Sequence, residues 1–419
     1  MHTSKNTIGW SRVSSIIPGL CLILIITACG SSNTVTPSNT FVLPTNIIVP
    51  TPPACTTLAA EPTPGPETPS IFPPITDADH SRGSKDAAIT ILDYSDYQDP
   101  RSGELAKATK RLFGENPKTV RFVSRPFPIY VVNDKSAYAT LAVEAASEQG
   151  KFWELNDLLF AQQANWINLS VEDFNQWVIA QVSALEMNVE QFKTDRARKD
   201  IVAKVQKAWD DGHKISLPGT PILVINGDLY QGPHDYTSLN DIAQLIILGK
   251  RQFKACPPFT VKTNTQYIAT LHTEKGDVTI ELFADKAPVT VNSFIFLAQN
   301  GWYDNITFHR VIPKLFAQTG DPSGTGKGNP GYYLITEILP SLTFSSPGMV
   351  AMVNSGPDTS GGQFFITYAP TAQFNGKYTI FGQVLKGMEV LQSLTPRDAQ
   401  PGANTPPGDK LINITIVEK

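Results

Sequence analysis

Charge is scarce in this chain. Only 17% of its 419 residues are Asp, Glu, Lys or Arg, against roughly 25% in soluble domains at large. With a net charge of −4, a nucleic acid or other polyanion is not an expected partner. There are 6 histidines and 4 cysteines, and none falls at a metal-binding spacing, so no metal or other cofactor is expected. No serine or cysteine sits in a nucleophile motif, which argues against covalent hydrolysis. Phosphate loops are missing as well. Gly326-Lys327-Gly328-Asn329-Pro330-Gly331 matches GxGxxG by letter, but no strand leads into it and Pro330 forbids the helix that would hold a phosphate. It reads as a glycine-rich surface loop. The apolar run Leu20–Ile26 is well short of the ~20 residues that span a bilayer.

What is present allows packed cores, with 41% hydrophobic residues and a length that suits two domains. Lys5 and Arg12 flank the apolar run, which ends in Ile26-Thr27-Ala28-Cys29-Gly30. That ending resembles the lipobox of bacterial lipoproteins. The resemblance implies a lipoprotein signal peptide over residues 1–29 ending at the lipobox cysteine, with Cys29 lipidated and becoming the first residue of the mature chain, and a chain held at the outer face of a membrane. A membrane span and an ordinary signal peptide are the alternatives. Residues 30–76 are rich in Pro, Thr and Ser, and read as a semi-extended spacer. Cys55 and Cys256 remain outside the leader. They form either a disulfide or two free thiols, and the sequence leaves both open.

Residues 77–258 alternate strand-like and helix-like stretches, which predicts an α/β layer fold. Ala88–Tyr94, Thr119–Val123 and Pro221–Gly227 read as strands. Helices are expected from Asp99-Pro100 to Phe113, over Ser136–Gln149, Phe152–Phe160 and Val171–Trp209, and over Ser238–Leu248. Tyr94–Ser102 and Gly219–Gly227 resemble the active-site turn and the cis-proline strand of thioredoxin-like disulfide oxidoreductases. The redox cysteines of that family are replaced here by Asp99 and Ser102. Thiol–disulfide exchange requires a thiolate, so this domain is expected to be redox-inactive. Asp99-Pro100 suits a capped helix start instead.

Residues 262–419 show short alternating strands, from Gln266–Thr273 and Asp277–Leu282 to Leu411–Val417, with a helix starting by Thr290. Many short strands with one or two helices predict a closed barrel. Phe308-His309-Arg310-Val311-Ile312-Pro313, Gln318–Pro322, Asn354–Pro357, Gly362–Ile366 and Asn375–Gly382 follow in order. Together they resemble the cyclophilin family of peptidyl-prolyl isomerases. The resemblance makes Arg310 the catalytic residue, with Gln318 and Gln363 as polar contacts to the substrate backbone. Phe365 is the floor of the proline pocket, Phe316 lines it, and Asn354 offers backbone hydrogen bonds. Phe308, Leu315, Phe374 and Tyr378 complete the substrate-binding set. Three positions depart from the family: Leu315 replaces phenylalanine, Gln373 replaces the tryptophan of eukaryotic members, and Tyr378 replaces histidine. His309 has no nucleophile to serve as base and reads as structural.

The expected function is a lipid-anchored, extracytoplasmic prolyl isomerase acting on X–Pro segments of unfolded or secreted polypeptides. A non-catalytic chaperone that holds extended peptides on both domains is the alternative.

Overall fold

The computed structural model describes residues 54–58, 70–398 and 406–419. The leader and Cys29 lie outside them. Among the described residues, no helix is long and apolar enough to cross a membrane.

The first domain has a five-stranded sheet in the order His80–Arg82, Val120–Pro126, Ile89–Ser95, Ile222–Ile225, Asp228–Tyr230. Ile89–Ser95 is buried along almost its whole length, as a strand covered on both faces must be. Its parallel partner Val120–Pro126 is reached through the helix Pro100–Glu115, the crossover that parallel pairing requires. Six helices lie between Val120–Pro126 and Ile222–Ile225. They enclose their own core around Trp166, Phe174 and Phe192. The helical stretch expected over 171–209 consists of three helices, Val171–Ala184, Val189–Arg196 and Lys199–Lys214. The first break comes where Glu186 takes a positive φ and Asn188 caps the next helix.

Asp99 caps the Pro100–Glu115 helix by accepting from Arg101 N. Its carboxylate also accepts from Ser102 Oγ at 3.1 Å and Thr220 Oγ1 at 2.9 Å. The Thr220-Pro221 bond is cis. The turn that resembles a redox site is therefore a closed hydrogen-bonded knot of oxygen atoms.

The second domain carries a ten-stranded sheet in the order Arg397–Asp398, Arg310–Ile312, Phe316–Thr319, Phe364–Thr367, Met349–Met352, Ile380–Lys386, Gly276–Leu282, Tyr267–Thr273, Lys410–Glu418, Ile306–Thr307. This corrects the expected closed barrel. The two end strands are only two residues long and do not pair with each other, so the sheet curls into a half-barrel. The helix Pro288–Gln299 packs into the core, burying Phe294 and Leu297.

Two stretches of the proline-rich segment pack onto the domains. Cys55–Thr57 pairs with Tyr332–Leu334, and Cys55 is disulfide-bonded to Cys256. Phe72 is buried against Tyr94 and Val123. Leu248, near the end of the helix Tyr236–Gly249, belongs to the core of the second domain.

Candidate active site

Side chains alternate across a strand, so residues opposite one another on neighbouring strands share a face. The register here sets Asp398, Arg310, Gln318, Phe365, Ala351 and Ile380 in one row across six strands. Their neighbours Val311, Ala317, Ile366 and Val350 form the other row and are buried in the core. One face of the sheet is thereby spent on stability, leaving the other for chemistry.

On that outer face Phe316, Phe344, Met349, Ala351, Phe365 and Ile380 form a separate apolar cluster, joined by Leu315, Val353, Phe374 and Tyr378. Phe365 is its centre. Its ring lies 5.6 Å from Phe316, 5.8 Å from Phe344, 5.5 Å from Phe374 and 5.2 Å from Tyr378. The last two are edge-to-face, an arrangement that aromatic quadrupoles favour. Arg310 rises at the rim, its guanidinium carbon 5.3 Å from the Phe316 ring centre and its Nε donating to Asp398 at 2.8 Å. Leu315 sits in the hairpin turn with Lys314 at φ +65°, and its carbonyl accepts from Tyr368 N.

The two glutamines are joined. Gln318 Nε2 donates to Gln363 Oε1 at 3.1 Å and is 3.2 Å from His309 Nε2. Burial holds His309 far below the usual histidine range, at about 4, so near pH 7 the ring is neutral and its Nε2 can accept. Both N–H groups of Gln318 then point inward, which leaves its carbonyl oxygen for a ligand. Gln363 differs from expectation. Its Nε2 donates to Gly326 O at 3.1 Å and Gly328 O at 2.9 Å, so its donors are already engaged within the protein. A cavity of about 280 Å³ lies beside it, lined by the 326–329 loop, Val353, Asn354 and Thr359. The backbone N–H and C=O of Asn354 have no partner among the described residues, while its side chain donates to Lys377 O.

The turn Gln318–Asp321 is fixed from behind. Gly320 has φ +95°, and a side chain there would collide with the Gly362 carbonyl. Trp302 Nε1 donates to Gly320 O and Tyr303 Oη to Gly362 O, both at 3.0 Å.

The structure brings Arg310, Leu315, Phe316, Gln318, Gln363, Phe365, Phe374 and Tyr378 together, with Asn354 at the adjoining cavity. It separates Phe308, which is fully buried in the core with Phe294 and Phe364 and is not a ligand contact. Sequence reasoning missed Phe344, whose ring stacks on Phe365, and Asp398, the partner of Arg310. It took His309 as merely structural. Neither Phe344 nor Asp398 stands near the motifs in the chain. Only the sheet register places Asp398.

Residues 268–418 match the family model for cyclophilin type peptidyl-prolyl cis-trans isomerases, and residues 76–244 match a thioredoxin family model. The peptidyl-prolyl cis-trans isomerase-like 1 of Aspergillus fumigatus is 49% identical over 29% of this chain and 78% of its own length. The peptidyl-prolyl cis-trans isomerase B of Streptomyces anulatus is 41% identical over 36% of this chain and 97% of its own. A solved cyclophilin type isomerase of Cryptosporidium parvum is 35% identical, covering 36% of this chain and 98% of that one, with a TM-score of 0.34. Through its C-terminal domain, which carries the row Arg310–Gln318–Phe365, the chain belongs to the cyclophilin-type peptidyl-prolyl cis-trans isomerases.

Proposed function

We propose that Arg310 is the catalytic residue of this isomerase and that the chain works on X–Pro segments of unfolded or secreted polypeptides outside the cytoplasm. The observation that carries the catalytic assignment is the cross-strand row setting Arg310 and Gln318 against Phe365. Resonance gives the peptide bond a rotation barrier of ~18–20 kcal/mol, and for X–Pro the exchange takes tens to hundreds of seconds. The barrier falls if the twisted state is bound more tightly than the planar one. In that state the proline nitrogen regains its lone pair and becomes a hydrogen-bond acceptor. A guanidinium supplies donors without titrating at any working pH. The apolar cluster around Phe365 holds the ring, Gln318 Oε1 accepts from the substrate backbone, and Asn354 pairs with an extended peptide. The acyl side then turns under Arg310.

The placement outside the cytoplasm is supported by the Cys55–Cys256 disulfide, since such bonds persist in oxidising compartments. It is also supported by the lipobox-like Ile26–Gly30. A diacylglyceryl group on Cys29 would anchor the chain to the membrane, with part of the proline-rich segment as spacer. A mass spectrum of the mature protein tests this, because an N-terminus other than a lipid-modified Cys29 would sink the anchor. A protease-coupled assay on an X–Pro peptide tests the activity.

A further inference from the structure

The loop 326–331 stands between the active site and the first domain, and it bonds to both. On the active-site side its Gly326 and Gly328 carbonyls accept from Gln363, whose own oxygen accepts from Gln318. Its other side is held by the helix Tyr236–Gly249 and the segment that continues from it. Lys327 Nζ lies 3.1 Å from the Asp241 carboxylate. Gln252 Nε2 donates to Asn329 O at 3.2 Å and Asn329 Oδ1 at 3.1 Å, and Phe253 N donates to Pro330 O at 2.8 Å. Leu248 is 2% exposed and belongs to the core of the isomerase domain.

Two glycines record how close the approach is. A side chain on Gly328 would strike Leu248 and Asp321, and one on Gly331, at φ +93°, would collide with the Phe253 carbonyl. Leu58 N donates to Gly331 O, and the Cys55–Cys256 disulfide ties that strand to the same segment. The run that reads in the sequence as a surface glycine loop is exposed only at Gly326 and Lys327, while Gly328, Pro330 and Gly331 are buried.

We infer that Asp241, Leu248, Gln252 and Phe253 are positioning residues of the isomerase site. They hold the 326–331 loop so that Gln363 keeps the Gln318 amide turned with its oxygen toward the substrate. The first domain, with Asp99 and Ser102 in the turn that resembles a redox site, supplies a brace to the second. This rests on the isomerase reading, and it deepens it by making activity depend on residues outside the catalytic domain.

The test is a double-mutant cycle in the full-length chain. kcat and KM on an X–Pro peptide are measured for wild type, Asp241→Ala/Gln252→Ala, Gln363→Ala and the triple variant. The expected loss of kcat/KM in the double variant is roughly three- to tenfold. Adding the same two changes to Gln363→Ala should cost nothing more, because the route passes through Gln363. The side-chain amide NMR signals of Gln318 and Gln363 should move in the double variant. Lys262→Ala, which breaks the exposed pair with Glu418 on the same domain, should leave kcat/KM at the wild-type value. An unchanged kcat/KM in the double variant, or the same loss with and without Gln363, overturns the inference. A wild-type chain with no isomerase activity refutes the underlying function instead, and the amide signals still report on the brace.

Discussion

Asp398 faces Arg310 across adjacent strands and accepts its Nε–H at 2.8 Å. Their side chains are 38% and 46% exposed, so the pair adds little to stability. On the proposed mechanism its effect is to fix one edge of the guanidinium, so that the other edge serves the substrate. Asp398→Ala is expected to lower kcat roughly two- to fivefold, the scale of an exposed ion pair, with little change in melting temperature. Asp398→Asn keeps an acceptor and should retain most of the activity. Steady-state kinetics beside thermal melts decide this. A drop in melting temperature with unchanged kcat would make Asp398 a stability residue only.

His309 gives a pH prediction. Burial lowers its pKa from 6.5 to about 4 in the folded chain. Between those values the unfolded chain binds a proton that the folded chain does not, so stability is full above pH 6.5 and falls as pH drops toward 4. Asp93 in the first domain titrates oppositely, because burial raises its pKa to about 7. The folded chain holds that proton, and its contribution weakens as pH rises toward 7. The two slopes overlap, so the measurement is the difference between wild type and His309→Gln in denaturant melts from pH 4 to 7. The substitution should flatten the pH dependence of the isomerase domain. Activity should also fall near pH 4, where a protonated ring can no longer accept from Gln318.

The Cys55–Cys256 disulfide closes a loop with a sequence separation of 201. Chain-entropy reasoning places its stabilisation at about 5 kcal/mol, and measured disulfides more often give 2–4 kcal/mol. Cys55→Ser/Cys256→Ser should lower the urea midpoint correspondingly. It should also speed hydrogen exchange at Leu58 N and Ile335 N, which donate to Gly331 O and Ala54 O across this junction. Unchanged exchange at both amides would show that the strand Cys55–Thr57 holds without the bond.

Much of the fold was legible because the chain's patterns are local. The buried run at Ile89–Ser95, the Asp99-Pro100 helix start and the alternation of Tyr267–Thr273 each carry their own signal. Barrel closure does not, because short alternating strands look alike in a barrel and in a half-barrel. Only hydrogen bonds between the end strands could distinguish them. In the site, the contiguous motifs gave Arg310, Gln318, Gln363 and Phe365. Phe308 belonged to a motif for packing reasons, and no pattern in its neighbours separates a core phenylalanine from a pocket one. Phe344, Asp398 and the brace at Gln252 come from distant segments and enter only through tertiary contacts. The glycines at 328 and 331 carried a usable sign of close backbone approach, and the false phosphate motif obscured it.

The central claim is that the guanidinium of Arg310 lowers the X–Pro rotation barrier. It is tested most directly by comparing wild type with Arg310→Ala and Arg310→Lys on one X–Pro peptide. Circular dichroism would establish that all three are folded. Wild type should abolish the slow phase of tens to hundreds of seconds. Arg310→Ala should lose roughly 100- to 1,000-fold in kcat/KM, the scale of a removed transition-state donor, and lysine should restore little because its point charge lacks the planar donor fork. A folded Arg310→Ala variant that isomerises the peptide as fast as wild type would contradict the mechanism.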